Sequence, residues 1–261
     1  MKLRESKLTL VGAGPGDVDL ITLKGIKAIQ SADYILYDAL VNVELLEYMK
    51  STATKIYVGK RSSKHTYSQS EINEMIVLFA GDSNHVVRLK GGDPYIFGRG
   101  YEEKLHAEKH GMQVEIIPGI SSATSVPAIA GVPVTMRGVS QSFWVLTATT
   151  KTGELSDDIG LASRSSATII VLMGVKKLPE IVGLFRRSGK GDTPVLIIQN
   201  GSLPNEKKAY GTVNSIISEA YRTKIGAPSI IVIGEVAKYG KLTSEANKKV
   251  KELTLNEVIH A

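Results

Sequence analysis

Three glycines at alternate positions, closed by an acid, make Gly12-Ala13-Gly14-Pro15-Gly16-Asp17 the first stretch suited to bringing bare backbone against a ligand, because glycine reaches torsions that other residues resist. The stretch superficially matches the Gly-x-Gly-x-x-Gly fingerprint of dinucleotide binding, and Asp38, closing the next apolar run, stands where that fingerprint wants its ribose partner. Against this, Asp17 occupies the third glycine's place and would repel a pyrophosphate, and Pro15 removes an amide donor. A tight turn after a strand accounts for the loop equally well. A second stretch, Gly91-Gly92-Asp93-Pro94 followed by Ile96-Phe97-Gly98-Arg99-Gly100, is rarer. Paired glycines set amides and carbonyls beside a fixed carboxylate, which suits a ligand carrying an amino-acid moiety, a hydroxyl or an ammonium group. A helix cap by Asp93 is the plainer alternative, although a cap needs no paired glycines before it.

These residues need a scaffold, and short Val- and Ile-rich runs alternating with segments of helical period indicate βα units. In the first half the pattern predicts strands at 8–11, 34–37, 55–58, 86–89 and 114–117, with helices at 20–31, 44–48, 69–79, 101–109 and 122–130. The second half predicts strands at 143–147, 168–173, 195–199 and 230–233 and helices at 178–187 and 213–221. A hairpin-like strand at 207–211 makes this second sheet mixed. The apolar pattern lapses around 135–140, which places an N-terminal domain at 1–134, a C-terminal domain at 135–240 and a polar, lysine-rich tail at 241–261. Every unusual residue of the first half then closes a strand, on the rim where open α/β sheets hold ligands. Met173-Gly174 and Asn200-Gly201 close strands of the second half in the same way.

Composition narrows the chemistry. With 261 residues, 43% hydrophobic and 22% charged, the chain can bury a full core, and disorder, collagen and coiled coil are excluded. The absence of Cys removes disulfides, thiolate metal sites and cysteine nucleophiles together, and no metal site is expected. The 32 Lys and Arg against 26 Asp and Glu, a formal +6, favour an anionic ligand. Aromatics are only 6% and are not interleaved with basic stretches, so nucleic acid is not the expected partner. No apolar run reaches the ~18 to 20 residues that cross a bilayer, and the polar start does not read as a signal peptide. The expectation is a cytoplasmic protein with no membrane partner.

Taken in order, Gly12 to Asp17, Tyr37-Asp38, Val58-Gly59-Lys60-Arg61, the run Arg88-Leu89-Lys90-Gly91-Gly92-Asp93-Pro94-Tyr95-Ile96-Phe97-Gly98-Arg99-Gly100, and Ile117-Pro118-Gly119-Ile120-Ser121-Ser122-Ala123 resemble the tetrapyrrole methylase family over about residues 7–240. The resemblance implies an α/β, two-domain fold with a mostly parallel N-terminal sheet, a mixed C-terminal sheet and the active site in the interdomain cleft. It implies S-adenosylmethionine as methyl donor, leaving as S-adenosylhomocysteine, and a homodimer. By matching positions, cofactor contacts fall on Pro15, Gly91, Gly92, Asp93 and Ile96, on Ser121 and Ser122, and on Met173 and Gly201. Backbone and small hydroxyls would serve the polar ends of such a ligand, with Ile96 and Met173 offering apolar contact.

Methyl transfer to carbon from a sulfonium asks mainly for alignment and exclusion of water. The resemblance assigns Asp38 as proton acceptor and Lys60 as proton donor, and implies as substrate the octacarboxylate uroporphyrinogen III, methylated twice through precorrin-1 to precorrin-2 for sirohaem or corrinoid synthesis. Arg61, Arg99 and Arg137 are then the substrate-binding cations, with Lys60, Lys64 and His65 as further basic residues. The chain departs from the common family pattern at Ala39, Tyr101 and Met136. Methylation of another precorrin, a nicotinamide-dependent oxidoreductase and a non-enzymatic basic RNA-binding module remain as alternatives.

Overall fold

The structure is a computed structural model and describes residues 5–59 and 67–244. Contacts divide the chain into two units, the first ending at Ser121 and the second beginning at Ser122.

The first unit comprises β1 (Lys7–Gly12), α1 (Leu23–Ser31), β2 (Tyr34–Tyr37), β3 (Thr54–Tyr57), α2 (Gln69–Ala80), β4 (His85–Lys90), α3 (Gly100–Lys109) and β5 (Gln113–Ile117). Its five strands form one parallel sheet in the order β3-β2-β4-β1-β5. Alternation sorts the strand side chains onto two faces. Val11, Ile35, Val87, Leu89 and Ile117 pack with Ala28 and Ile29 of α1, whereas Leu8, Leu10, Leu36 and Val86 pack with Ile72 and Ile76 of α2 and Ala107 of α3. Helices on both faces leave the carboxyl edge of the sheet to the loops after β1, β2, β4 and β5.

The second unit comprises α4 (Ser122–Ile129), β6 (Phe143–Thr147), α5 (Asp158–Ala162), β7 (Thr168–Leu172), α6 (Leu178–Arg187), β8 (Pro194–Gln199), β9 (Lys207–Thr212), α7 (Ile216–Arg222) and β10 (Ser229–Ile233). The sheet order is β6-β7-β10-β8-β9, with β6 and β7 parallel and the other neighbours antiparallel, so the sheet is mixed. Ile169, Val171, Ile197 and Ile231 face α5, α6 and α7, while Ile170, Leu196, Ile198 and Val232 face Ala123 and Val126 of α4.

The expected strands all form. The helices differ where capping outranks periodicity. The helix expected at 20–31 begins at Leu23, because Thr22 Oγ1 accepts from the Gly25 amide at 3.0 Å and sets the N-cap there. The preceding turn, Val18–Leu20, is 3₁₀ and is capped by Asp17, which accepts from the Asp19 amide at 3.0 Å. The segment expected at 44–48 is likewise 3₁₀, over Val43–Tyr48. The five-residue α5 is too short to announce itself by period.

The units divide after Ser121 rather than at 134, since α4 buries its apolar face on the second sheet. The lapse at 135–140 is a turn inside the second unit, closed by the Met136 amide on the Ser140 carbonyl at 2.8 Å and the Ser140 amide on the Met136 carbonyl at 2.9 Å. Of the expected tail, 241–244 is helical and 245–261 lies outside the described residues. Among the described residues, no helix is long and apolar enough to cross a membrane.

Candidate active site

At the carboxyl edge of the first sheet, backbone meets backbone. The Gly92 amide donates to the Gly14 carbonyl at 2.7 Å, the Gly14 amide returns to Gly92 at 3.3 Å, and the Ala13 amide donates to the Lys90 carbonyl at 2.8 Å. A Cβ on Gly12 would sit 2.7 Å from the Gly92 carbonyl oxygen, and one on Gly119 would sit 2.6 Å from the Gly12 Cα. No side chain fits at either place, so the loops after β1, β4 and β5 interlock only because glycine occupies them. Asn42 ties in the loop after β2, donating from Nδ2 to the Gly16 carbonyl at 3.0 Å.

Gly91 and Gly92 serve different purposes. A Cβ on Gly91 would lie 2.8 Å from the Leu40 Cβ, so Gly91 is required by packing against the loop after β2. Gly92 has a φ of 68°, and a Cβ there would meet nothing within 4 Å. It therefore leaves open space where a side chain would stand. Asp93 caps no helix: α3 begins after Arg99. Its carboxylate accepts from the Tyr95 amide at 2.8 Å and from the Gly119 amide at 3.0 Å, stapling the loop after β4 to the loop after β5. A carboxylate has about four acceptor sites, so capacity remains for a ligand. Pro15 is half-buried beside Gly14, and Ile96 is exposed on the turn after Asp93.

Asp38 follows β2 on the same edge. The Arg88 guanidinium donates from Nη2 to Asp38 Oδ1, and Lys90 Nζ lies 3.9 Å from Asp38 Oδ2. Both cations come from β4, whose six residues are all buried. Both also bind Glu103 of α3: Oε1 accepts from Arg88 Nε at 3.1 Å, from Lys90 Nζ at 2.9 Å and from Gln69 Nε2 of α2 at 3.1 Å. The Glu103 and Arg88 side chains are 0% and 2% exposed, against 28% for Asp38, so the cluster reaches the surface through Asp38. Burial works against the Arg88 charge, but Glu103 and Asp38 outweigh it and raise its pKa. Lys90 is pushed the other way, chiefly by burial and then by the Arg88 charge. Two cations, themselves held by the Glu103 carboxylate, thus keep the half-buried Asp38 carboxylate at the rim in one orientation, where it can take a proton from a ligand.

Arg88 and Lys90 belong to the run that carries the family resemblance but were given no role there, and Glu103 lies just beyond it. The signal that finds them is the strand itself: two cations on one face of an otherwise apolar run, two residues apart, require a buried counter-charge.

The remaining expected positions are less gathered. Lys60 and Arg61, with Lys64 and His65, lie outside the described residues. Arg99 is exposed, adopts a φ of 58° and forms a two-pronged pair with Glu102, Nε to Oε1 at 2.9 Å and Nη2 to Oε2 at 2.6 Å. Arg137 is exposed on the turn between Met136 and Ser140. Ser121 ends the first unit and Ser122 opens α4. In the second unit, Met173 and Asn200 follow β7 and β8 with φ of 55° and 53°, and the register through β10 puts both strand ends on one edge of that sheet. Met173 is exposed. Gly201 is buried, and a Cβ there would run into the Val126 side chain of α4.

Among the described residues, no group of three or more His, Asp or Glu side chains could hold a metal ion.

The model of the Tetrapyrrole (Corrin/Porphyrin) Methylases matches residues 7–217. A uroporphyrinogen-III C-methyltransferase of Methanocaldococcus jannaschii is 46% identical over 232 residues, covering 88% of this chain and 96% of the relative. One from Priestia megaterium is 45% identical, covering 89% and 99%. Among solved structures, the uroporphyrin-III C-methyltransferase of Thermus thermophilus complexed with S-adenosyl homocysteine superposes with a TM-score of 0.76 at 33% identity, covering 89% of this chain and 99% of that one. With glycine-built loops on the strand ends and a family match over most of its length, the chain belongs to the tetrapyrrole methylase family and is an S-adenosylmethionine-dependent methyltransferase.

Proposed function

We propose that this chain methylates uroporphyrinogen III on carbon, in two successive transfers through precorrin-1 to precorrin-2, on the way to sirohaem or corrinoids. The observation that carries the reading is the convergence of the loops after β1, β2, β4 and β5 on one sheet edge, with open space at Gly92 beside Asp93 and the Asp38 carboxylate on the same edge. Likeness to relatives named for this reaction supports the choice of substrate.

The residues fit the donor. An amino-acid moiety needs hydrogen-bond partners without side-chain obstruction; the Gly92 amide is taken by the Gly14 carbonyl, so Gly92 contributes room and its carbonyl's second lone pair, and the remaining capacity of Asp93 supplies acceptors for an ammonium group. When bound, the donor supplies an activated methyl group on a sulfonium. Pro15, Gly91, Gly92, Asp93 and Ile96 on the loops after β1 and β4, with Ser121, are assigned to hold it. Ser122, Met173 and Gly201 are the assigned contacts from the second unit. Gly91 acts indirectly in this account, by letting Leu40 close against the loop.

After the methyl group adds to the electron-rich pyrrole carbon, that ring must lose a proton, and Asp38 is the assigned acceptor, oriented by Arg88. Lys60 is assigned as proton donor. Arg61, Arg99 and Arg137 are assigned to the substrate's carboxylates, and the surplus of cations steers a polyanion toward the protein. A homodimer is the proposed assembly.

Anaerobic incubation with uroporphyrinogen III and labelled donor, followed by mass measurement of the tetrapyrrole, tests the reading. The expected result is the gain of two methyl groups, both carrying label. An unchanged mass, with another precorrin methylated under the same conditions, would replace the substrate and keep the reaction class.

A further inference from the structure

We infer that Glu103 is a positioning residue for proton transfer at Asp38: it fixes the two cations that flank Asp38 and thereby sets how readily that carboxylate takes a proton. The inference rests on the assignment of Asp38 as proton acceptor.

The geometry singles out Glu103. It is fully buried on α3, and its Oε1 carries three donors: Arg88 Nε, Lys90 Nζ and Gln69 Nε2. Its Oε2 is buried with no hydrogen-bond partner among the described residues. A side chain needed only to tie α3 to β4 and α2 would gain by satisfying both oxygens. Among the described residues Glu103 has no partner for its second oxygen, and it sets its negative charge behind two cations. Those cations also reach forward to Asp38, Arg88 by a direct hydrogen bond and Lys90 across 3.9 Å. Arg99, at the start of α3, is the next cation whose charge is felt with Glu103. Among the described residues, the charged groups paired with Asp38 are Arg88 and Lys90.

Counting charges gives two cations against two carboxylates, so the resting cluster is neutral. A proton arriving on Asp38 leaves one excess positive charge in a low-dielectric setting, and Glu103 is the anion that keeps the excess to one. Without it, the cluster would already be positive before the proton arrived, and Asp38 would be a poorer acceptor. Burial and the Arg88 charge also push the Lys90 pKa down.

The test is the acid limb of the pH profile of kcat/KM for the tetrapyrrole, with S-adenosylhomocysteine affinity as the check on folding. Glu103→Gln removes an anion, favours ionised Asp38 and should move the limb down by about one pH unit while lowering kcat. Lys90→Met removes a cation and should move the limb up by about as much. The double variant removes one charge of each sign and should return the limb to its original place, a cancellation that loss of a structural tie does not produce.

A Glu103→Gln protein that binds S-adenosylhomocysteine normally but keeps the original limb would overturn the inference. If that variant does not fold, an unmoved limb in Lys90→Met does the same. Asp38→Asn separates the two readings. Retained turnover in Asp38→Asn sinks both, whereas lost turnover with unmoved limbs in the charge variants leaves Asp38 as acceptor and removes Glu103 from the argument.

Discussion

The Gly119 amide donates to Asp93 Oδ2 at 3.0 Å while the Tyr95 amide donates to Oδ1 at 2.8 Å, so one carboxylate holds two loops of the same rim. Hydrogen bonds to a charged acceptor contribute about 1.5–3 kcal/mol each. Asp93→Ala should therefore lower stability by about 2 kcal/mol and weaken S-adenosylhomocysteine binding. Asp93→Asn, which retains one oxygen, should lose less of both. Thermal unfolding and titration calorimetry read the two effects, and wild-type stability in Asp93→Ala would show that the staple contributes nothing.

Gly92 and Gly119 should respond differently to alanine. A Cβ on Gly119 would overlap Gly12 at 2.6 Å, so Gly119→Ala should expel one of the interlocked loops and cost more than 3 kcal/mol, roughly the upper range of overpacking. Gly92 has room for a Cβ but a φ of 68°, so Gly92→Ala should cost only about 1–2 kcal/mol of backbone strain. If Gly92 faces the donor, its substitution should still weaken S-adenosylhomocysteine binding at least tenfold. Unchanged affinity in a folded Gly92→Ala protein would remove Gly92 from the ligand site.

Gly201 poses the opposite question. A Cβ there would sit 2.8 Å from Val126 Cγ2, so Gly201→Ala should destabilise the second unit by about 1–3 kcal/mol. Val126→Ala removes the obstruction, and the double variant should recover part of that loss in a mutant cycle followed by denaturant unfolding. S-adenosylhomocysteine affinity that falls in Gly201→Ala and stays low in the double variant would mark a ligand contact. Affinity that recovers with stability would mark a packing glycine.

Acid stability has a local contributor on β5. Glu115 on β5 accepts from Lys24 Nζ at 2.6 Å and Lys7 Nζ at 2.7 Å, and these bonds pull its pKa down to about 2. A carboxylate lowered on folding stabilises above its unfolded value, near 4.5, and loses that contribution as pH falls toward 2. The side chain is 32% exposed and Lys24 is largely in solvent, so screening leaves about 1 kcal/mol of the nominal effect. Glu115→Gln should be less stable than the parent by that amount at pH 7, and the gap should close between about pH 5 and pH 2 in urea titrations. A gap independent of pH would assign the loss to packing instead.

Much of the fold was legible because strands and helices write their period into apolar positions. Val86, Val87 and Leu89 announce a strand buried on both faces, and Ile72, Ile76 and Ala80 announce a helix. The paired glycines ahead of Asp93 and Pro94 stood out because that combination sets bare backbone beside a fixed carboxylate. What periodicity cannot carry is which sheet a helix covers. The apolar face of α4 fits either sheet by pattern, and only packing against Ile170, Leu196 and Val232 assigns it to the second unit.

Read alone, the residues established an α/β chain whose unusual positions close strands, a cation surplus, and a motif order belonging to one family, since all of these are local in the chain or simple sums over it. Tertiary structure decided the strand order β3-β2-β4-β1-β5, the separate duties of Gly91 and Gly92, and the Arg88, Lys90 and Glu103 cluster behind Asp38. Those depend on which distant segments meet, and a buried charge declares its role only when its counter-charge is found across the core: Asp38 and Arg88 are fifty residues apart in sequence and joined by one hydrogen bond.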